Sequence, residues 1–327
     1  MDIEPRRWLP LIGLAALAAV PLIAALTDDP YLVTIFTRVV ILALAAASLD
    51  FILGYGAMVS LGHAAFLGIG AYTVGILAHH HQSGAPLLEA VPWLTGTNAA
   101  LISLPLAIAV AALCALLIGA LSLRTRALHF IMITLAFAQM FFFLFIAMAR
   151  YGGGDGMVMW QRNTLPLINT GDSVQFYYLC LAFLAGSVFL LRRIVAARFG
   201  RVLRGAAENE RRMAALGFPV FRYRLAAFTL AGAIGGLAGA LMANLETFVS
   251  PSLLHWSQSG ELMVMVILGG LGSIYGPVLG ATLFIMLEET LAAWTEHWMI
   301  ILGPILILVV LYARRGLFGW LTWRRHG

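Results

Sequence analysis

Seven apolar runs follow one another through the first three quarters of this chain: Trp8–Leu26, Val33–Leu53, Ala57–Ala78, Ala99–Leu121, Leu128–Ala149, Phe176–Leu191 and Leu225–Ala243. Each is close to the length at which a helix crosses a hydrocarbon core, about 20 residues for roughly 30 Å. A water-soluble fold would have to hide all of them. Composition agrees, with 61% hydrophobic and only 11% charged residues, against about 25% charged in an ordinary soluble domain. Inside a bilayer every backbone polar group needs a partner within the protein, which leaves helices or closed barrels. Barrel strands are short and alternating; these runs are continuous. The expected fold class is therefore all-α, a polytopic membrane protein.

The last third decides the number of crossings. Leu253–Leu287 is too long for one span and contains Gly269-Gly270-Leu271-Gly272-Ser273 and then Gly276-Pro277. A single crossing would leave the tail with Arg314, Arg315, Arg324 and Arg325 outside. A turn at the glycines returns it inside and puts Glu288, Glu289 and Glu296 in an outer loop. Positive charge favours cytoplasmic loops, so the turn is expected. This gives about ten transmembrane segments with both termini cytoplasmic. Arg38, Arg150 and Arg162 run against that trend. The first run follows Arg6 and Arg7 as a signal peptide would, but no cleavage site precedes Asp28-Asp29-Pro30, so it reads as a retained span. All twenty basic residues are arginine and the formal net charge is +5. Cytoplasmic loops account for that excess, and no nucleic-acid partner is expected. Cys114 and Cys180 lie inside apolar runs without metal-ligand spacing.

Glycines suggest two weakly similar halves. One set runs through Gly54, Gly56, Gly62, Gly68 and Gly70 to Tyr72; the other runs from Gly269 and Gly270 through Gly272 to Gly276 and Gly280. Interrupted helices in corresponding positions point to repeat-built transporters. Close packing of small residues between membrane helices gives the same pattern, and both readings stand. Asp50 lies within the second span. A carboxylate there serves transport, or it reaches the interface or caps the break that follows.

Between the sixth and seventh runs, Arg192–Arg224 carries nine of the twenty arginines. Within it, Leu203, Ala206, Ala207, Met213 and Ala214 recur at helical spacing. Glu208 precedes Arg212 by four residues, the favourable order for an ion pair on one helix face. Gly217 stops the helix, and Pro219 forbids its continuation. A short cytoplasmic helix, Arg201–Gly217, is expected. It floats on anionic lipid or docks on a protein, and its mixture of Glu208, Glu210 and arginines suits a protein groove. Arg192, Arg193, Arg222 and Arg224 read as membrane-interface anchors.

Four ordered blocks then carry a resemblance. The first is Leu49-Asp50-Phe51-Ile52-Leu53-Gly54-Tyr55-Gly56 with Ser60-Leu61-Gly62-His63 and Gly68-Ile69-Gly70-Ala71-Tyr72. The second is Gly152-Gly153-Gly154-Asp155-Gly156. The third is Arg204, Ala207, Glu208-Asn209-Glu210, Ala214, Leu216-Gly217 and Tyr223. The fourth is Ala238-Gly239-Ala240-Leu241, Ser250-Pro251, Glu261, Gly269-Gly270-Leu271-Gly272-Ser273, Gly276-Pro277 and Gly280-Ala281. From about Ala45 to Leu291 the chain resembles the permease subunits of bacterial branched-chain amino-acid ABC importers, in their LivM-like branch. It departs at Asp50, where the family usually shows Asn, and at Tyr151, where Thr is common.

The resemblance implies one transmembrane permease domain over residues 1–327 in the bacterial inner membrane, with a coupling helix at residues 200–217. It implies a second, LivH-like permease, two cytoplasmic ATPase subunits that hold ATP and Mg, and a periplasmic solute-binding protein. The chain itself would carry no cofactor and no catalytic residue. Arg201, Arg204, Ala207, Glu208, Asn209, Glu210, Arg212, Ala214, Leu216 and Gly217 would couple to an ATPase. Asp50, Gly54, Ser60, Gly62, His63, Gly68, Gly70, Tyr72, Gly269, Gly270, Gly272, Ser273, Gly276 and Pro277 would form the path or its helix breaks. Gly153, Gly154, Asp155 and Gly156 would meet the binding protein or merely cap span five. Branched-chain or related hydrophobic amino acids are the default solute; urea, short amides and aromatic acids are the alternatives.

Other classes fit less well. An ion-coupled transporter calls for paired intramembrane charges, and Asp50 is nearly alone. A membrane enzyme needs acid, base or nucleophile groups converging at one depth, and the candidates are scattered. No Gly-x-x-x-x-Gly-Lys pattern exists in a chain without lysine, so this subunit is not the ATPase. His63 reads as a structural histidine at a helix break. His79-His80-His81 cannot all face one site on a helix, and no metal site is assigned. Glu246 is a solvated charge or a partner contact, and Met140-Phe141-Phe142-Phe143 a lipid-facing or packing stripe.

Overall fold

The computed structural model describes residues 8–88, 91–125, 127–166, 168–295, 297 and 300–304. Its helices are α1 (Trp8–Thr27), α2 (Pro30–Gly56), α3 (His63–Ser83), α4 (Ala100–Ser122), α5 (Ala127–Ala147) and α6 (Ser173–Ala196). Then come α7 (Arg198–Glu208), α8 (Glu210–Ala215), α9 (Val220–Glu246), α10 (Trp256–Gly269) and α11 (Gly276–Trp294). Strands β1 (Pro86–Leu88) and β2 (Val91–Thr95) form a small antiparallel pair, as do β3 (Met157–Val158) and β4 (Phe248–Val249). Among the described residues, six helices are long and apolar enough to cross a bilayer: α2, α4, α5, α6, α9 and α11. The chain is thus an all-helical, polytopic membrane protein. The last expected span lies mostly outside the described residues, as does the arginine tail.

Local chemistry sets the helix ends. Asp29 caps α2 by accepting the Tyr31 amide at 3.0 Å, and Pro30 supplies a preset φ in the first turn. Asp172 caps α6 in the same way through Val174. The third span begins later than its apolar run suggests. Ala57 adopts the left-handed region (φ 51°), and Ala57–Gly62 forms a break before α3 begins at His63. The chain does turn at the second glycine block, between α10 and α11. Glu288 and Glu289, expected in an outer loop, instead lie within α11. Arg38 of α2 meets both, at 3.4 Å and 3.9 Å, and Tyr31 donates to Glu289 at 3.3 Å. Arg38, one of the three arginines that run against the charge trend, is therefore paired with acids on a neighbouring helix.

The core forms around α9, against which α2, α3 and α4 pack. Small residues make that possible. A Cβ at Gly70 of α3 would collide with the Gly236 carbonyl, and one at Gly239 of α9 would collide with the Leu67 carbonyl. The two backbones touch, as small residues permit between membrane helices. Away from this centre the helices show apolar faces. Leu113, Leu117 and Leu121 of α4 are exposed, as are Leu128, Met132, Met140 and Phe143 of α5. The expected aromatic stripe therefore divides. Phe143 points out, whereas Phe142 packs edge-on to His255 and Phe145 stacks on Tyr72.

α1 is clamped to α6 by a device that starts with a proline. Pro21 has no amide hydrogen, so the Leu17 carbonyl one turn earlier loses its helical donor. The Tyr177 hydroxyl donates to that carbonyl at 2.5 Å. Tyr177→Phe should cost about 1 kcal/mol, the ordinary net worth of such a bond. In a Pro21→Ala background the restored amide serves Leu17, and the same change should cost clearly less. Melting temperatures of the four proteins in one detergent give the coupling. Equal losses in both backgrounds would rule the clamp out.

Candidate functional site

Two helix breaks meet each other, and a pair of short helices packs beside the first of them. The first break follows α2. The Met58 amide reaches back to the Ile52 carbonyl at 3.0 Å, and Ser60 accepts the Gly62 amide at 3.3 Å. The second break, residues 270–275, joins α10 to α11. Gly270 (φ 114°) and Gly272 (φ 70°) take backbone angles that disfavour other residues. Ser273 donates to the Gly270 carbonyl at 2.7 Å. Pro277 opens α11, and Gly269 and Gly276 leave no room for a Cβ between them.

Asp50 joins the two breaks. Its Oδ1 accepts the Gly272 amide at 2.8 Å. The residue is 1% exposed, so it neither reaches the interface nor caps its own helix. Gly54 lies one turn further along the same face of α2. A Cβ there would collide with the Gly272 nitrogen and crowd Asp50 Oδ1. The missing side chain is what lets the second break approach.

The remaining candidates of the first block are packed shut. Ser48 Oγ lies 2.7 Å from the Ala45 carbonyl and 2.8 Å from His63 Nε2, so it holds the imidazole against α2. His63 Nδ1 has no hydrogen-bond partner among the described residues. Ser259 of α10 accepts the Ala64 amide at 2.9 Å. Gly62 abuts the Thr134 carbonyl, Gly68 receives Leu254, and the Tyr72 ring lies 3.9 Å from that of Phe145. These residues are interior contacts among α3, α5, α9 and α10.

The expected cytoplasmic helix, Arg201–Gly217, is in fact two helices. Asn209 is extended (φ −154°, ψ 96°) and caps α8 by accepting the Arg212 amide at 2.9 Å. The break separates Glu208 from Arg212. The ion pair that forms instead joins Glu210 to Arg224 at 2.7 Å. Arg224 also donates to the Ala206 carbonyl at 3.1 Å. It ties both short helices to α9 rather than acting only as an interface anchor. α7 buries Gly200, Val202, Leu203 and Ala206 and keeps Arg201 and Arg204 outward. Leu203 packs beside Gly56, and the Arg204 guanidinium lies 5.9 Å from the centre of the Tyr55 ring. No residue of α8 is buried. Glu208, Asn209, Glu210, Arg212, Ala214 and Leu216 are exposed, and Ala207 is half-buried. Gly217 (φ 85°) ends the segment as expected. Beneath α8, a cleft of about 460 Å³ opens between Glu210, Arg224, Arg124, Phe130, Ala57 and Met58.

On the other side, Gly153, Gly154, Asp155 and Gly156 form a turn whose exit strand β3 pairs with β4. Gly156 faces the Val249 carbonyl, and Gly154 and Asp155 project at the tip. This block thus links the end of α5 to the end of α9. His80 is held by the Ala85 carbonyl at Nδ1 (3.0 Å) and the Tyr151 hydroxyl at Nε2 (3.1 Å), a structural role. The Arg38–Glu288–Glu289 cluster was missed in the sequence reading; the signal was opposite charge on two spans at similar distances from their outer ends.

A family described as "Branched-chain amino acid transport system / permease component" matches residues 31–310. The permease protein LivM of the high-affinity branched-chain amino acid transport system of Salmonella typhimurium (strain LT2) is 28% identical over 309 residues, covering 87% of this chain and 69% of that protein. LivM of Escherichia coli (strain K12) gives the same identity and coverage. The permease protein LivH of Escherichia coli (strain K12) is 27% identical over 176 residues, covering 53% of this chain and 56% of that one. No solved structure matches the chain. The family match takes in both helix breaks, the short helices α7 and α8 and the β3–β4 link, and the chain belongs to the branched-chain amino acid transport system permease family.

Proposed function

We propose that this chain is one of two membrane-spanning subunits of an ATP-driven importer for branched-chain or related hydrophobic amino acids. Relatives named LivM and LivH both align with it, which supports a second, homologous permease as its neighbour in the membrane. In this reading the chain crosses the inner membrane about ten times with both termini in the cytoplasm. Two ATPase subunits bind ATP and Mg and meet the exposed α8, and a periplasmic binding protein delivers the solute near Asp155. The observation that carries the reading is an exposed, charged and apolar-tipped α8 fastened by Arg224 to α9, beside the break that follows α2. Closure of the ATPases would move α7 and α8 as a unit and shift the ends of α2 and α9. The permease supplies path and motion; hydrolysis belongs to the partners.

Reconstitution in liposomes tests this. The chain, its partner permease, the ATPases and the binding protein should take up labelled leucine, isoleucine or valine only with ATP, and omission of this chain should abolish uptake. Uptake of urea, amides or aromatic acids in place of these would reassign the solute within the same class. Uptake by this chain alone under an ion gradient would overturn the class.

A further inference from the structure

We propose that the hydrogen bond from the Gly272 amide to Asp50 is a latch between the two helix breaks, and that α7 works it through Tyr55. The proposal rests on the reading that α8 meets an ATPase. Its own observations are separate. Asp50 and Gly272 are 222 residues apart in sequence and meet at 2.8 Å. Asp50 is buried, yet among the described residues its Oδ2 has no hydrogen-bond partner and no cation lies within ion-pair distance of it. One amide is a sparse set of donors for a buried carboxyl group. Such a contact holds two elements together without the depth of a paired charge, so it can be exchanged when the elements move.

The latch is wired to the cytoplasmic helices by neighbouring residues. Tyr55 is buried at the end of α2, close to Ile274 and Tyr275 of the second break. Arg204 of α7 lies over the Tyr55 ring, and Leu203 of α7 fills the space beside Gly56. At the end of α6, Arg192 donates to the Tyr275 hydroxyl at 3.2 Å. A displacement of α7 therefore acts on the end of α2 and on the 270–275 turn together. Gly54 completes the device, since any side chain there would wedge Asp50 and Gly272 apart. A merely structural pin would stay closed in every nucleotide state. A latch opens in one of them.

The test uses the assembled importer with Cys114→Ala and Cys180→Ala, carrying Leu53→Cys and Leu271→Cys beside the latch. A short bis-thiol reagent is applied without nucleotide and with ATP trapped by vanadate. The cross-linked fraction should differ between the two states by at least about fivefold, the lower end of ordinary coupling. Asp50→Asn keeps an acceptor oxygen and should preserve the difference. Asp50→Leu, and Gly54→Ala with only a methyl added, should remove it and leave ATP hydrolysis running without uptake. Co-purification of the ATPase is scored in the same preparations. Its presence together with a nucleotide-insensitive cross-link, or with full coupled uptake in Gly54→Ala, overturns the latch alone. Its absence from the unmodified assembly overturns the docking reading and the latch with it.

Discussion

Replacing Gly239 by leucine is expected to leave little folded permease. A Cβ at Gly239 would collide with the Leu67 carbonyl, and on the same seam Gly70 meets the Gly236 carbonyl. Both obstacles are backbone atoms, so no rotamer change relieves them. α3 and α9 would have to separate at the point where the core is densest. Added methylenes in a packed interior cost about 1–3 kcal/mol where side chains can yield; a backbone collision belongs at or beyond the upper end. The yield of monodisperse protein in detergent should fall severely, and the surviving fraction should melt well below the parent. Gly186→Leu on α6, where nothing lies within 4 Å of the added Cβ, should change neither. A parental melting temperature for Gly239→Leu would refute the backbone-contact account of the core.

That seam shows what was legible in the sequence. Five of the seven apolar runs coincide with helices long and apolar enough to cross a bilayer, because burial in a bilayer is a local property of each segment. The turn at Gly269–Gly276 and the stop at Gly217 were legible for the same reason, since Gly and Pro restrict the backbone where they stand. The two-helix form of 198–215 was not. Glu208 and Arg212 suit a continuous helix, and Asn209 lacks the acidic residue three places on that would mark a capped start. What favours the break is tertiary: Arg224, from the next helix, takes Glu210 and the Ala206 carbonyl. Asp50–Gly272 and Arg38–Glu288 join residues more than 200 positions apart. Spacing along the chain carries no trace of such pairs; composition showed only that the charges were present and unusual.

The coupling surface gives the second large effect. Leu216 is 65% exposed at the end of α8, and Phe218 and Phe221 beside it are exposed as well. Glu208, Arg211 and Arg212, just before them in the chain, are exposed too. An apolar centre with a charged rim is how a docking site concentrates its affinity, with a central anchor worth about 2 kcal/mol or more. Leu216→Asp should therefore weaken ATPase co-purification by about thirtyfold, the equivalent of that energy. Uptake should fall with it. Because the side chain lies at the surface, the melting temperature of the isolated permease should hardly move. Glu208→Arg acts on the rim, so its effect should be smaller and should fade as salt is raised. The competing arrangement, α8 lying on anionic lipid, makes the opposite prediction. Leu216→Asp would then reduce binding to acidic vesicles and leave the ATPase in place. Glu208→Arg would strengthen vesicle binding, because it adds positive charge to a surface already rich in arginine.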